Sequence, residues 1–279
     1  MMGGLGKRIT TAAILLPLVI LAVWAGPVPL AILLSVAALL GGRELARLGR
    51  NRGLTVPYLV PGLLAALVIL CWARLVPLEP APALVLVAVA AILLELFRPG
   101  GSVLLGSPLI AFGALYLGLL PAHLLGYYDF ASGGESVAGA IGRDPWPLYY
   151  VFLLVWTCDT AAFLAGSAIG RHKLWPRVSP KKSWEGSIAA LLGSIVAALL
   201  AGGWVPGLDT AGRIGAGVLA AVFSQIGDLA ESWMKREAAV KDSGRSFPGH
   251  GGMLDRLDSL VLTIPVLYYW LRWSLHGQG

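Results

Sequence analysis

The sequence predicts an all-α fold: a polytopic integral membrane protein with about nine transmembrane helices and a cytoplasmic N-terminus. Three observations lead there. Of 279 residues, 57% are hydrophobic and only 13% are charged, about half the charged share of a soluble globular domain. The apolar residues fall into long runs broken by Gly, Pro and basic residues. The Lys and Arg residues gather at alternate ends of those runs, as the positive-inside tendency requires. This composition excludes a water-soluble enzyme, a disordered chain and a fibrous protein, none of which could hide so much apolar surface.

The runs lie at roughly 9–25, 28–42, 58–73, 82–97, 103–121, 148–169, 187–205, 212–230 and 259–275, with ends good to a few residues. The first follows Lys7-Arg8 and is longer than a signal-peptide core. Gly26-Pro27 leads straight into further apolar sequence, so this run reads as a retained anchor. Pro27 and Pro29 separate it from the second run, because Pro cannot continue a helix. Runs two to four fall short of the roughly 20 residues of a full span, but the charges argue for counting them. With the N-terminus inside, only Arg74, Arg143, Arg213 and Arg272 of the 21 Lys and Arg fall outside. Dropping a middle span would scramble that asymmetry. Cys71 and Cys158 sit inside apolar runs, form no Cys-x-x-Cys pair and read as small core residues. No repeat period and no paired halves with matching breaks stand out.

The chain changes character along its length. Residues 1–125 form an N-terminal set of transmembrane helices with few motifs. A Gly-rich outside loop at about 122–147 carries Asp129, Glu135 and Asp144. Residues 146–279 read as the catalytic transmembrane domain, with its site on the cytoplasmic face, because polar residues now enter the spans.

Asp159 lies well inside the sixth run, where an ionised acid costs roughly 2.5–3.5 kcal/mol on insertion scales. It is either a hydrogen-bonded tie between helices or a functional acid. Next, the inside segment Arg171–Gly186 carries five basic residues and one acid. Positive-inside decoration and anionic lipid heads explain charge, but not Ser179-Pro180-Lys181-Lys182-Ser183-Trp184-Glu185-Gly186. Ser183 can cap the following helix, and two Lys beside a helix N-terminus can cradle a polyphosphate. The eighth run ends with Asp228, Glu231, Ser232 and Lys235 at i, i+3, i+4 and i+7 on one helical face. Asp228 and Glu231 are either intrahelical partners of Lys235 or, for Asp228 within the apolar run, a ligand.

The last feature is Lys241–Ser259. Gly249, Gly251 and Gly252 allow backbone N–H groups to approach a phosphate closely. Asp255 and Asp258 share a face of the last run, and hard oxygen ligands with room for water and phosphate suit Mg²⁺. Helix N-terminal charge placement is the plainer account of those acids; His250 stays open. Acids for a divalent cation, basic residues for polyphosphate and glycines for close approach all lie at one end of apolar helices. Metal-assisted phosphoryl or nucleotidyl transfer onto a lipid is the economical reading.

These residues resemble a known family. Ser232-Trp233-Met234-Lys235-Arg236, Lys241-Asp242, Pro248-Gly249-His250-Gly251-Gly252 and Leu254-Asp255-Arg256-Leu257-Asp258 are similar to the signature of the phosphatidate cytidylyltransferases, or CDP-diacylglycerol synthases. Trp156–Phe163 and Ser179–Gly186 resemble the family too, so the likeness covers roughly residues 150–262. It implies transfer of a cytidylyl group from CTP to phosphatidate, giving CDP-diacylglycerol and pyrophosphate, at the cytoplasmic face of a bacterial inner membrane. It further implies Mg²⁺, a second monovalent cation such as K⁺, and a homodimer among membrane lipids, with no nucleic-acid partner. By the same resemblance, Asp228 and Asp255 are the first expected metal ligands, with Asp258 and Asp159 behind them; antiparallel helices on either side of the inside loop would bring Asp228 and Asp255 to similar depth, where they could share one ion. Asp228, Asp255, Lys235 and Arg256 are the expected catalytic residues. Ser179, Lys181, Lys182, Ser183, Arg236, Lys241, Arg245, His250, Gly251 and Gly252 are expected to bind substrate. Two rivals stand beside this: a CTP-using polyprenol or lipid kinase, and a transporter, which would place charges near the midplane in symmetry-related halves.

Overall fold

The computed structural model describes residues 2–132, 144–244, 246–247 and 251–276. Every one of the apolar runs becomes helix. In chain order these are α1 (Met2–Ala25), α2 (Pro27–Asn51), α3 (Val60–Trp72), α4 (Pro80–Phe97), α5 (Gly106–Ala114), α6 (Leu120–Gly126), α7 (Trp146–Ile169), α8 (Trp184–Ala201), α9 (Thr210–Glu237) and α10 (Leu254–His276). A π-helical turn, Leu115–Leu119, joins α5 to α6, so that one apolar run makes both. Among the described residues, six stretches are long and apolar enough to cross a membrane: Pro27–Asn51, Pro80–Phe97, Gly106–Gly126, Trp146–Ile169, Trp184–Trp204 and Thr210–Glu237. Large apolar side chains such as Phe97, Leu164 and Leu200 point outward, 79%, 59% and 83% exposed. Apolar surface on this scale belongs against lipid rather than water.

The chain packs as two units: Met1–Leu125 with Met234–Leu257, and Gly126–Trp233 with Asp258–Gly279. In the first, α2 starts at Pro27, pre-set for a first helical position after Gly26 at φ 109°. It runs well beyond the apolar stretch of the sequence. Leu45, Ala46 and Leu48 stay buried there, prolonging the inward stripe beneath exposed Arg43, Arg47 and Arg50. A Cβ on Gly42 would strike the backbone of Gly62 and Pro61, so α2 and α3 cross at backbone distance, the small-residue packing typical of membrane helices. Ala46, Val56, Ala91 and Ile110 form one core cluster, and Val68, Val87 and Ala114 another.

In the second unit α7 and α8 pack in the same way, Gly186 lying against the Ala162 carbonyl and the Gly166 backbone. Cys158, Ala190 and Ala221 make the core between α7, α8 and α9, and both cysteines of the chain are buried and free. Tyr127 Oη donates to the Ile264 carbonyl at 2.6 Å, and Trp270 Nε1 to that of Gly212 at 2.8 Å. The basic segment is not a plain loop. Its strands β1 (Lys173–Trp175) and β2 (Ser179–Ser183) form an antiparallel hairpin, Lys173 opposite Ser183 and Trp175 opposite Ser179.

Candidate active site

Within the second unit, the hairpin presents its basic residues differently. Ser183 ends β2 and caps α8, its Oγ accepting from Gly186 N at 3.2 Å, as its place before the helix led one to expect. Ser179 is half-buried and Lys181 exposed. Lys182 turns to α9: its Nζ lies 2.8 Å from Asp228 Oδ2 and donates to the Gln225 carbonyl at 3.2 Å. The strand's alternation separates these neighbours, one toward solvent and one toward an acid. Ser232 Oγ donates to Asp228 Oδ1 at 3.3 Å. On α10, Ser259 links two further acids. Its N–H donates to Asp258 Oδ1 at 2.7 Å and its Oγ to Asp159 Oδ1 at 3.3 Å. A Cβ on Gly227 would run into the Asp258 carbonyl, so α9 meets α10 there without a side chain between. Asp159 and Asp258 are thus linked through Ser259, and Asp228 follows directly on the close approach of α9 to α10.

Within the first unit, Lys235 pairs with Asp255 at 2.5 Å. Asp255 Oδ2 also accepts from Ser243 N at 3.1 Å, Ser243 Oγ at 2.9 Å and Gly252 N at 2.8 Å. Burial pushes the Asp255 carboxyl up, but the Lys235 ammonium and these donors more than offset it, holding the group below the usual carboxylate value. Gly251, at φ 79°, takes the left-handed turn that brings Gly252 N–H onto this carboxylate.

The residue that sequence reading missed is Glu44, 5% exposed on α2. Its Oε1 accepts from Ser246 Oγ at 2.5 Å and Met253 N at 2.9 Å. Its Oε2 accepts from Leu254 N at 3.0 Å and lies 3.0 Å from Ser243 Oγ. Glu44 therefore satisfies orphan N–H groups at the start of α10 from another helix, where a carboxylate also meets the favourable helix dipole. Ser243 has one hydroxyl proton, so Glu44 and Asp255 compete for it. Gly244 and Gly252 are needed for this approach: a Cβ on either would collide with the Glu44 carboxylate.

Among the other expected residues, Arg236 is exposed and donates to the Val240 carbonyl at 3.4 Å. Lys241 and Arg256 are exposed. Arg245, Pro248, Gly249 and His250 lie outside the described residues. Among the described residues, no three His, Cys, Asp or Glu side chains converge to cage a metal. Mg²⁺ does not need such a cage, since it commonly takes one or two carboxylates and fills its octahedron with water and phosphate. The oxygen donors here, already holding ammonium groups, fit that mode.

Long apolar helices carrying lysine–carboxylate pairs describe an integral membrane protein. The chain belongs to the cytidylyltransferase family, whose model matches residues 6–274. It is 45% identical over 159 residues to a phosphatidate cytidylyltransferase of Brucella suis biovar 1, which is 53% of this chain and 55% of that protein. A protein of the same name from Staphylococcus aureus strain COL is 45% identical over 121 residues, 43% of this chain and 46% of the relative. The matched stretch thus spans about half the length of these relatives.

Proposed function

We propose that this chain is a phosphatidate cytidylyltransferase of a bacterial cytoplasmic membrane, working at the cytoplasmic face. The observation that carries the reading is the pair of lysine–carboxylate contacts, Lys182–Asp228 and Lys235–Asp255, in a member of the cytidylyltransferase family. A phosphatidate oxygen attacks the α-phosphorus of CTP, the new P–O bond forms, and the bond to the β-phosphate breaks to release pyrophosphate. Anion approaches anion, so cations lower the barrier. Lys181 and Lys182 on the hairpin, and Lys235, Arg236, Lys241 and Arg256 near α10, supply them. The phosphate monoester is already ionised near pH 7, its second pKa being about 6, so no protein base is required.

Mg²⁺ is the proposed cofactor, with Asp228, Asp255, Asp258 and Asp159 as its oxygen donors; when bound it would neutralise charge on the triphosphate and its leaving group. A monovalent cation and a homodimer belong to the same reading. Purified protein given labelled CTP, phosphatidate and Mg²⁺ should yield a lipid of the mass of CDP-diacylglycerol, with pyrophosphate released. A phosphorylated alcohol formed from polyprenol instead would overturn the reading in favour of a lipid kinase.

A further inference from the structure

One cavity of the first unit, with a volume of about 570 Å³, is lined by residues other than those put forward for the chemistry. Its size suits a small ligand or the head of a larger one. Leu40, Arg43, Glu44 and Arg47 line one wall, spaced i, i+3, i+4 and i+7 on a single face of α2. Tyr58, Leu59, Gly244 and Ser246 complete the lining.

The charges here are not equivalent. Glu44 is occupied by the loop it pins. Arg50, one turn beyond, is held in place by its own contacts. It donates to the Val56 carbonyl at 3.3 Å and sits 3.6 Å over the Tyr58 ring. Arg43 and Arg47 have neither. Both are exposed, and among the described residues no hydrogen bond or ion pair holds either guanidinium. Two free guanidiniums one helical turn apart form a fork suited to a phosphate group. A free phosphate would need nothing else, yet the lining also holds Tyr58 and Leu59, 45% and 50% exposed. Apolar surface beside a phosphate fork matches a molecule with a phosphate head and hydrocarbon next to it.

We propose that this cavity seats the phosphate monoester headgroup of a lipid, with Arg43 and Arg47 as its ligands and Leu40 and Leu59 against the start of its chains. The loop pinned by Glu44 would then be one wall of the lipid's own site. The proposal rests on the functional reading above, phosphatidate being such a lipid, but binding is measurable without turnover.

Dioctanoyl phosphatidate is titrated into the purified full chain in detergent, without CTP, and bound lipid is read by native mass spectrometry. Dioctanoylglycerol and glycerol 3-phosphate provide the arms lacking phosphate and lacking chains. Arg43→Gln/Arg47→Gln should weaken phosphatidate binding at least about tenfold, consistent with loss of charge-assisted hydrogen bonds, and Arg43→Lys/Arg47→Lys should fall between. Wild-type affinity in the Gln variant overturns the proposal, as does glycerol 3-phosphate binding as tightly as the lipid. The functional reading fails separately: lipid bound through Arg43 and Arg47 with no CDP-diacylglycerol formed sinks that reading and keeps this one.

Discussion

Glu44→Gln keeps the length and shape of the side chain and removes its charge. The carboxylate accepts from Ser246 Oγ, Met253 N and Leu254 N and shares the Ser243 hydroxyl. A Gln amide has one oxygen, and in either orientation its NH₂ faces one backbone N–H, of Met253 or Leu254, that cannot accept from it, while the serine hydroxyl beside it can turn to accept. At least one contact is therefore lost. A hydrogen bond to a charged group contributes roughly 1.5–3 kcal/mol, so the start of α10 should open more readily by about that amount, or about 10–10²-fold. Hydrogen exchange of the Met253 and Leu254 amides, followed by mass spectrometry on the detergent-solubilised protein, reads that opening directly. Glu44→Asp, one methylene short but still charged, should lie between. Protection of both amides within about threefold of wild type would falsify the idea that Glu44 organises this loop.

Gly252→Ala brings a methyl group against Glu44 and Ser243 and should destabilise by about 1–3 kcal/mol, as overpacking does. Gly203→Ala, with open space around its Cβ, should leave the melting temperature unchanged; equal shifts in the two would refute the packing argument. Lys182→Gln breaks the contact with Asp228 and should lower kcat, whereas exposed Lys181→Gln should mainly raise the KM for CTP; identical kinetics in both would count against the hairpin's division of labour. Asp228→Asn and Asp255→Asn should each abolish nearly all turnover in folded protein, and the double variant should lose no more than either, as residues acting as a unit do. Additive losses would mean that they hold no common ion. Finally, Gly203→Cys on a background lacking Cys71 and Cys158 should react from the periplasmic side; reaction only from the cytoplasm would overturn the nine-span topology. Gly203 is exposed, so a thiol there is open to the reagent.

The helices were legible because apolar runs and breaker residues act locally, and each run did become helix. Ser183 was legible for the same reason: a cap is decided within three residues of its helix. Partnership between distant residues was not. Nothing in the sequence ties Lys182 to Asp228 or Lys235 to Asp255. The hairpin hid because its strands are short and strongly basic, a composition that reads as loop. Glu44 did leave a trace. It is the first acid in the chain, the next being Glu79, and it stands among Arg43, Arg47 and Arg50 on an otherwise apolar helix. Membrane orientation accounts for those basic charges, and that rule counts Lys and Arg while giving acids little weight.

The path of the chain through its two units has a consequence for how it is made. The first unit takes in Met1–Leu125 and then, only after the whole of Gly126–Trp233, Met234–Leu257. At synthesis rates of about 5–20 residues per second, that interval lasts roughly 5–20 s. Throughout it, Glu44 has left the ribosome while Ser243, Ser246, Met253 and Leu254, its donors, do not yet exist. The nascent N-terminal helices must therefore wait at the membrane with an unanswered carboxylate. A membrane chaperone or protease that senses unpaired acids would find its window there, before the last helix arrives.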